Sequence, residues 1–418
     1  MSKAQLNSLR LAIQSNKFAD ENTLVRALLT KHPLNHDNPK AAHVEATKLV
    51  KACRSTDKYS SWLDSFLLEF GLSNREGVAL MCLAESLLRV PDSVTADRLI
   101  AEKIQSGDWL SHAGKSKPWL VNLASWALVI TQKFVGLDAQ LDPNPKPKPK
   151  FHKLTAPIIR IATRHAMKLM GRHYILGRCI DQGIKHGLKL SSSGEVRLSF
   201  DMLGEAARTR QDAQRYFDSY SRAIEEVGTL NNANSVIEAH GVSVKLSALH
   251  PQFHFNHRDT VLAELLPRIT ELALKAKQHN ISLTIDAEEV ARLEMSLDIF
   301  QALCENPELD GWQGLGFVVQ AYQKRALAVA QWLTMLAEET NRSIMVRLVK
   351  GAYWDTEIKI AQEQGFTDYP VFTRKTHTDV CYLQCAQILL QANHNIYCLL
   401  YTSPSPRDLS TSRMPSSA

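Results

Sequence analysis

Along the first 140 residues apolar positions recur every three or four places, and no stretch alternates with the two-residue period of a strand. "SNREGVALMCLAESLLRVP" (73–91) shows the pattern best. Ser73 and Glu76 have capping-box spacing, apolar residues follow at helical intervals, and Pro91 closes the segment. Residues 141–153, "LDPNPKPKPKFHK", alternate proline with lysine and read as a solvated, extended linker. A further helical pattern, "APIIRIATRHAMKLMGRHYILG", ends at Gly177.

From about residue 196 the period changes. Short apolar runs appear at "VRLSFDML" (196–203), "GVSVKLSA" (241–248), "SLTIDAE" (282–288), "LGFVVQA" (315–321) and "SIMVRLVKG" (343–351), separated by amphipathic stretches such as "YQKRALAVAQWLTMLAEE". Strands alternating with helices predict βαβ units and a parallel sheet, and eight such units close a (β/α)8 barrel. Five strands are legible and "NIY" (395–397) begins a sixth. The predicted class is therefore α/β: a helical region (1–140), a Pro/Lys linker and helix (141–195), and a truncated (β/α)8 barrel (196–397). A doubly wound dinucleotide fold is unsupported, because no G-x-G-x-x-G follows any strand.

The last stretch, "CLLYTSPSPRDLSTSRMPSSA" (398–418), carries neither period. Its back-translation matches the transposase adapter and flow-cell end of a short-read sequencing library. It is expected to be a read-through artefact, with the natural sequence stopping near Tyr397.

Composition changes this picture little. A chain of 418 residues, 44% apolar and 22% charged, is an ordinary globular protein with room for two or three domains. The formal charge of +6 is spread along the chain, which argues against a dedicated nucleic-acid surface. Seven cysteines form no C-x-x-C pair, so zinc and thioredoxin-like sites are not expected, and Cys381 and Cys385 read as packed thiols in a reducing compartment. The most apolar run, "WLVNLASWALVI" (119–130), falls short of the roughly 20 residues a spanning helix needs. No signal-peptide pattern opens the chain, and a cytoplasmic location is expected.

The candidate chemistry lies at the strand ends. Asp201, Lys245, Asp286, Gln320, and Arg347 with Lys350 each stand near the C-terminal end of a strand, where barrels carry their active sites. Charges buried there must face one another or a charged ligand, so the row predicts a site for an anionic, polar ligand. Lys245 also admits a Schiff-base nucleophile. Arg347 and Lys350 suit a phosphate-bearing cofactor, with Tyr353 and Trp354 available for stacking. No metal site is expected: "HPQFHFNH" (250–257) lacks a suitably placed carboxylate, and Glu288 and Glu289 read as first-turn helix residues facing the positive end of the macrodipole.

At these residues the chain becomes specific. "FDMLGEAARTRQDAQRYFDSY", "GVSVKLSALHPQF", "IDAEEVARLEMSLDIF", "GFVVQAYQKR" and "VRLVKGAYWDTEIKIAQEQGFTDYPVFTRKTHTDVCYL" closely resemble the proline utilization A family. Those bacterial enzymes join an FAD-dependent proline dehydrogenase to an NAD-dependent glutamate-semialdehyde dehydrogenase. The resemblance implies that Arg347 lies beside the flavin N5. It implies that Gln320, Val349, Lys350, Gly351, Ala352 and Trp354 line the flavin and its ribityl chain, with Thr373 and Lys375 on the phosphate and adenine side. Lys245 then meets the substrate carboxylate and Asp286 the proline nitrogen, while Leu348 and Tyr353 wall the pocket and Glu205 stands behind them.

The implied partners are L-proline and a membrane quinone reached by peripheral contact, in a homo-oligomer when full length. No ribbon-helix-helix module is seen, so no nucleic-acid partner is expected. The family's last barrel strands, with the paired arginines that grip the substrate carboxylate, are not seen either. Residues 1–397 alone are expected neither to bind FAD stably nor to oxidise proline. The other readings left open are a Schiff-base lyase using Lys245 and a non-catalytic helical scaffold.

Overall fold

The computed structural model describes residues 3–31, 39–55, 108, 110, 176–190 except 178, and 196–400 except 203. The capping box at Ser73, the Pro/Lys linker and nearly all of the helix ending at Gly177 lie outside these residues.

Among the described residues six strands follow one another: β1 (Ser199–Asp201), β2 (Gly241–Val244), β3 (Ser282–Ile285), β4 (Leu315–Gln320), β5 (Ile344–Val349) and β6 (Ile396–Leu400). They form one sheet in the order β1 to β6, every pair parallel, as successive βαβ units require. β4 is buried along its whole length, which fits its run of Leu, Phe and Val. The helices among the described residues are, in chain order, α1 (Lys3–Ser15), α2 (Glu21–Lys31), α3 (Pro39–Ser55), α4 (Ile180–Leu190), α5 (Arg210–Thr229), the single turn α6 (Leu246–Leu249), α7 (Arg258–Gln278), α8 (Leu293–Cys304), α9 (Ala326–Glu339), α10 (Trp354–Glu363) and α11 (Lys375–Gln391).

The sheet is curved. Arg347 on β5 donates to Ser199 on β1 at 2.9 Å, although those strands stand four places apart in the sheet. Flat strands spaced about 4.8 Å apart would separate them by far more than an arginine side chain can reach. Together with the parallel order, that closeness makes the sheet a sector of a barrel wall.

Outside the wall, Phe300 of α8 packs on Phe317 of β4 with ring centroids 5.0 Å apart, and Trp332 of α9 is fully buried. Cys381 and Cys385 are fully buried on α11 with sulfurs 4.0 Å apart. Arg342, just before β5, staples the other rim. Its guanidinium donates to the carbonyls of Cys304, Leu309 and Asn306 at 2.5, 2.7 and 2.9 Å and to Asp310 at 2.6 Å.

Two boundaries differ from the sequence reading. Met1–Asn35 pack with residues 176–418, whereas His36–Ile175 form a second compact unit. Leu6 and Ile13 of α1 and Leu28 of α2 enter the same core as the sheet, and Arg10 lies over the Trp332 ring. The sixth strand also runs past Tyr397, pairing Cys398 with Val346 and Leu400 with Leu348, because the apolar run continues that far.

Candidate active site

Parallel pairing places equivalent side chains side by side. Val244 pairs with Ile285, so Lys245 and Asp286 follow as neighbours at the ends of β2 and β3. Ile285 pairs with Phe317 and Val318 with Arg347, which puts Arg347 in the same layer. Lys245 Nζ donates to Asp286 Oδ2 at 3.0 Å and to both Asp201 oxygens at 2.9 and 3.1 Å. Arg347 donates to Asp286 Oδ1 at 3.2 Å, to Ser199 at 2.9 Å and to Ser243 at 3.1 Å. Two cations and two carboxylates from four strands thus neutralise one another inside the curve. The Lys245 side chain is 8% exposed and that of Asp286 12%, while Asp201 at 30% opens the cluster to solvent.

Burial works against the charge of Lys245, but Asp286 and Asp201 outweigh it and hold the amine above its ordinary range. A lysine fixed as an ammonium between two carboxylates is a poor Schiff-base nucleophile, which disfavours the lyase reading. Burial raises the Asp286 carboxyl, against the pull of Lys245 and Arg347.

The predicted cofactor residues gather at the ends of β4 and β5. Gln320 is buried, and protein groups fix its amide: it donates to the Glu288 carbonyl at 2.8 Å and accepts from the Ala352 N–H at 3.2 Å. Gly351 has φ +142°, and a Cβ there would run into the Tyr322 ring, so glycine is required. Trp354 donates its indole N–H to the Phe372 carbonyl at 2.9 Å. Lys350 and Lys375 converge on Asp379 at 2.5 and 2.8 Å. Tyr353 donates to Glu205 at 3.2 Å, joining the wall residue to the one expected behind it. Burial, then Glu205, raises the Tyr353 phenol.

Leu348 is fully buried in the main core, and strand alternation turns it to the face opposite Arg347, so the structure does not bring it to the charged cluster. One expectation, that on Glu288 and Glu289, is corrected. Glu288 and Glu289 do not open a helix. A 3-10 turn (Val290–Arg292) intervenes before α8, and Glu288 is buried. The Glu288 carboxylate takes the Ser247 N–H at 3.1 Å, the Ser247 hydroxyl and Arg292. Burial raises the Glu288 carboxyl, against the pull of Arg292 and Ser247.

Sequence reasoning missed Ser199 and Ser243. The available signal was spacing: each stands two residues before a predicted charge, Asp201 or Lys245, and so on the same face. The histidines of 250–257 serve local contacts, His250 with Glu264 at 3.2 Å and His254 with the Asn256 N–H at 3.3 Å.

A parallel barrel sector with a charged cluster at the C-terminal ends of its strands belongs to the α/β class of barrel proteins. The model of the family described as proline dehydrogenase matches residues 184–403, over half of the chain, and the chain belongs to that family. A second model, described as the DNA-binding domain of proline dehydrogenase, matches residues 62–174, which lie almost wholly outside the described residues.

Over 391 residues the chain is 45% identical to the bifunctional protein PutA of Salmonella typhimurium and to that of Escherichia coli, covering 93% of this chain and 30% of each relative. The chain thus spans about a third of the length of these relatives. Proline dehydrogenase 1 of Bacillus subtilis is 25% identical over 50% of this chain and 62% of its own length. A crystal structure of a Bradyrhizobium japonicum proline utilization A mutant superposes with a TM-score of 0.66 at 42% identity, over 94% of this chain and 39% of that one.

Proposed function

We propose that this chain carries the FAD-dependent proline dehydrogenase site of a bifunctional proline-catabolising enzyme and converts L-proline to 1-pyrroline-5-carboxylate. The observation that carries the reading is the convergence of Lys245, Asp286 and Arg347 inside the curved sheet of a chain in the proline dehydrogenase family.

The donor set fits a flavin. Cations at Arg347, Lys350 and Lys375, a glycine with positive φ at Gly351 and the indole of Trp354 suit a flat, anionic cofactor. Gln320, Val349, Lys350, Gly351, Ala352 and Trp354 would hold it, with Lys375 and Thr373 toward its phosphates. When bound, the flavin supplies the acceptor for a hydride from proline C5. Lys245, held charged, binds the substrate carboxylate. Asp286 orients the amine, and burial favours its taking the proton the amine must lose. Arg347 holds Asp286 in place and keeps a positive charge at the strand end, where negative charge develops during transfer. Tyr353, fixed by Glu205, walls the pocket.

On the resemblance, electrons pass to a membrane quinone through peripheral contact, and the enzyme is a cytoplasmic homo-oligomer. Among the described residues no helix is long and apolar enough to cross a membrane. The reading includes no nucleic-acid partner, on the spread of basic residues. The relatives are named bifunctional, and the proposed second, NAD-dependent activity belongs to the length they have beyond this match.

A chimera with residues 1–397 in place of the matching stretch of the E. coli relative tests the proposal. It is expected to carry bound FAD and to yield 1-pyrroline-5-carboxylate from proline, trapped as its aminobenzaldehyde adduct. Borohydride trapping of a carbonyl compound on Lys245, without flavin, would establish the lyase reading instead.

A further inference from the structure

The N-terminal segment is tied to the sheet by polar groups as well as by its apolar face. Arg10 pairs with Asp298, and Lys324, fully buried, donates to the Ala19 carbonyl at 2.7 Å. Two residues on, Glu21 opens α2 but aims its carboxylate at another helix. It accepts from the Thr373 N–H at 3.0 and 3.1 Å, from the Thr373 hydroxyl at 2.8 Å and from the Arg374 N–H at 3.4 Å. It also lies 2.5 Å from His377 Nδ1. Burial works against its charge, and these hydrogen bonds outweigh that, holding the carboxyl below the usual range.

The turn that Glu21 grips is pinned to the site on its other side. The Phe372 carbonyl accepts from the Trp354 indole at 2.9 Å, and the Phe372 N–H donates to the Tyr322 carbonyl at 2.8 Å. Val371 bridges Gln323. Residues 371–375 therefore form a plate between the N-terminal segment and the Lys350–Trp354 corner.

We propose that Glu21 is a positioning residue: its carboxylate fixes the 371–375 turn against which the phosphate and adenosine half of FAD binds. Docking of the N-terminal segment and cofactor affinity are then coupled. The proposal rests on the flavin reading above. It also reassigns Thr373. With its N–H and hydroxyl spent on Glu21, Thr373 shapes the turn, and Lys350 and Lys375 meet the phosphate.

The test compares Glu21→Gln with the unsubstituted protein, both in the chimera described above, by two readouts. Amide hydrogen exchange across 372–377 is expected to rise about tenfold, the scale of a lost charge-assisted hydrogen bond, while exchange in β4 stays the same. Fluorescence titration is expected to show FAD binding weakened about tenfold and riboflavin, which lacks phosphate and adenosine, unchanged. Thr373→Val, which removes only the hydroxyl bond, is expected to give the same pattern at about threefold and serves if Glu21→Gln fails to fold.

Unchanged exchange at 372–377 overturns the proposal, as does equal weakening of FAD and riboflavin. An unsubstituted chimera that binds no FAD overturns the flavin reading and the coupling to it, while exchange still reports on the Glu21 contact by itself.

Discussion

Arg342 and Arg347 stand five residues apart at opposite ends of β5, and their surroundings separate structure from chemistry. Arg342 spends its guanidinium on three main-chain carbonyls and on Asp310, whose side chain is 73% exposed. Carbonyls cannot move without unfolding the loop they belong to, so Arg342 is a fixed staple. Arg347 spends its guanidinium on one carboxylate and two hydroxyls, side chains that can turn to a ligand without disturbing the backbone. The same residue type on one strand thus gives stability at the N-terminal rim and a site at the C-terminal rim, the division expected of a barrel.

The sharpest way to break this comparison is to remove the carboxylate partner at each end. Asp286→Asn is expected to lower proline turnover of the chimera by about a thousandfold, through loss of the group that orients and deprotonates the amine. Asp310→Asn, at an exposed partner, is expected to leave turnover within twofold. Steady-state assays on both variants decide it.

Next in size is the staple. Arg342→Met is expected to destabilise the fold by about 3 kcal/mol, because three carbonyls lose a buried charged donor. Urea unfolding measures this, with turnover per folded molecule unchanged. Gly351→Ala, at a corner the comparison places on the chemical side, is expected to cost about 2 kcal/mol from φ +142° and contact with Tyr322. It should also weaken flavin binding, which the same urea curve with and without FAD reports.

The smallest effect is on pH. Glu21 has a depressed carboxyl pKa, so its contribution is complete above its ordinary value of 4.5 and is lost as pH falls through the lower folded value. Hydrogen exchange at 372–377, corrected for intrinsic rates, should rise as pH falls through that lower value.

The strand-end row was legible in the sequence because buried charges in apolar runs are costly and therefore conspicuous. Lys245, Asp286 and Arg347 needed only parallel register to meet. Ser199 and Ser243 were overlooked because a hydroxyl in a strand is unremarkable until a guanidinium lies against it. Glu288 was misread because helical spacing is local evidence, and its captor Ser247 comes from another βα unit. The N-terminal boundary was invisible for the same reason: an amphipathic helix announces an apolar face, not what covers it. Glu21 and Thr373 lie 352 residues apart, a contact that no local pattern encodes.

The central claim is that the cluster held by Arg347 does chemistry. Stopped-flow flavin reduction by L-proline in the chimera, unsubstituted and with Arg347→Met, tests it most directly. The expected result is reduction slowed about a thousandfold, with flavin still bound and the melting temperature close to that of the unsubstituted protein. Reduction within threefold of the unsubstituted rate would contradict the account and leave Arg347 as a second staple on β5.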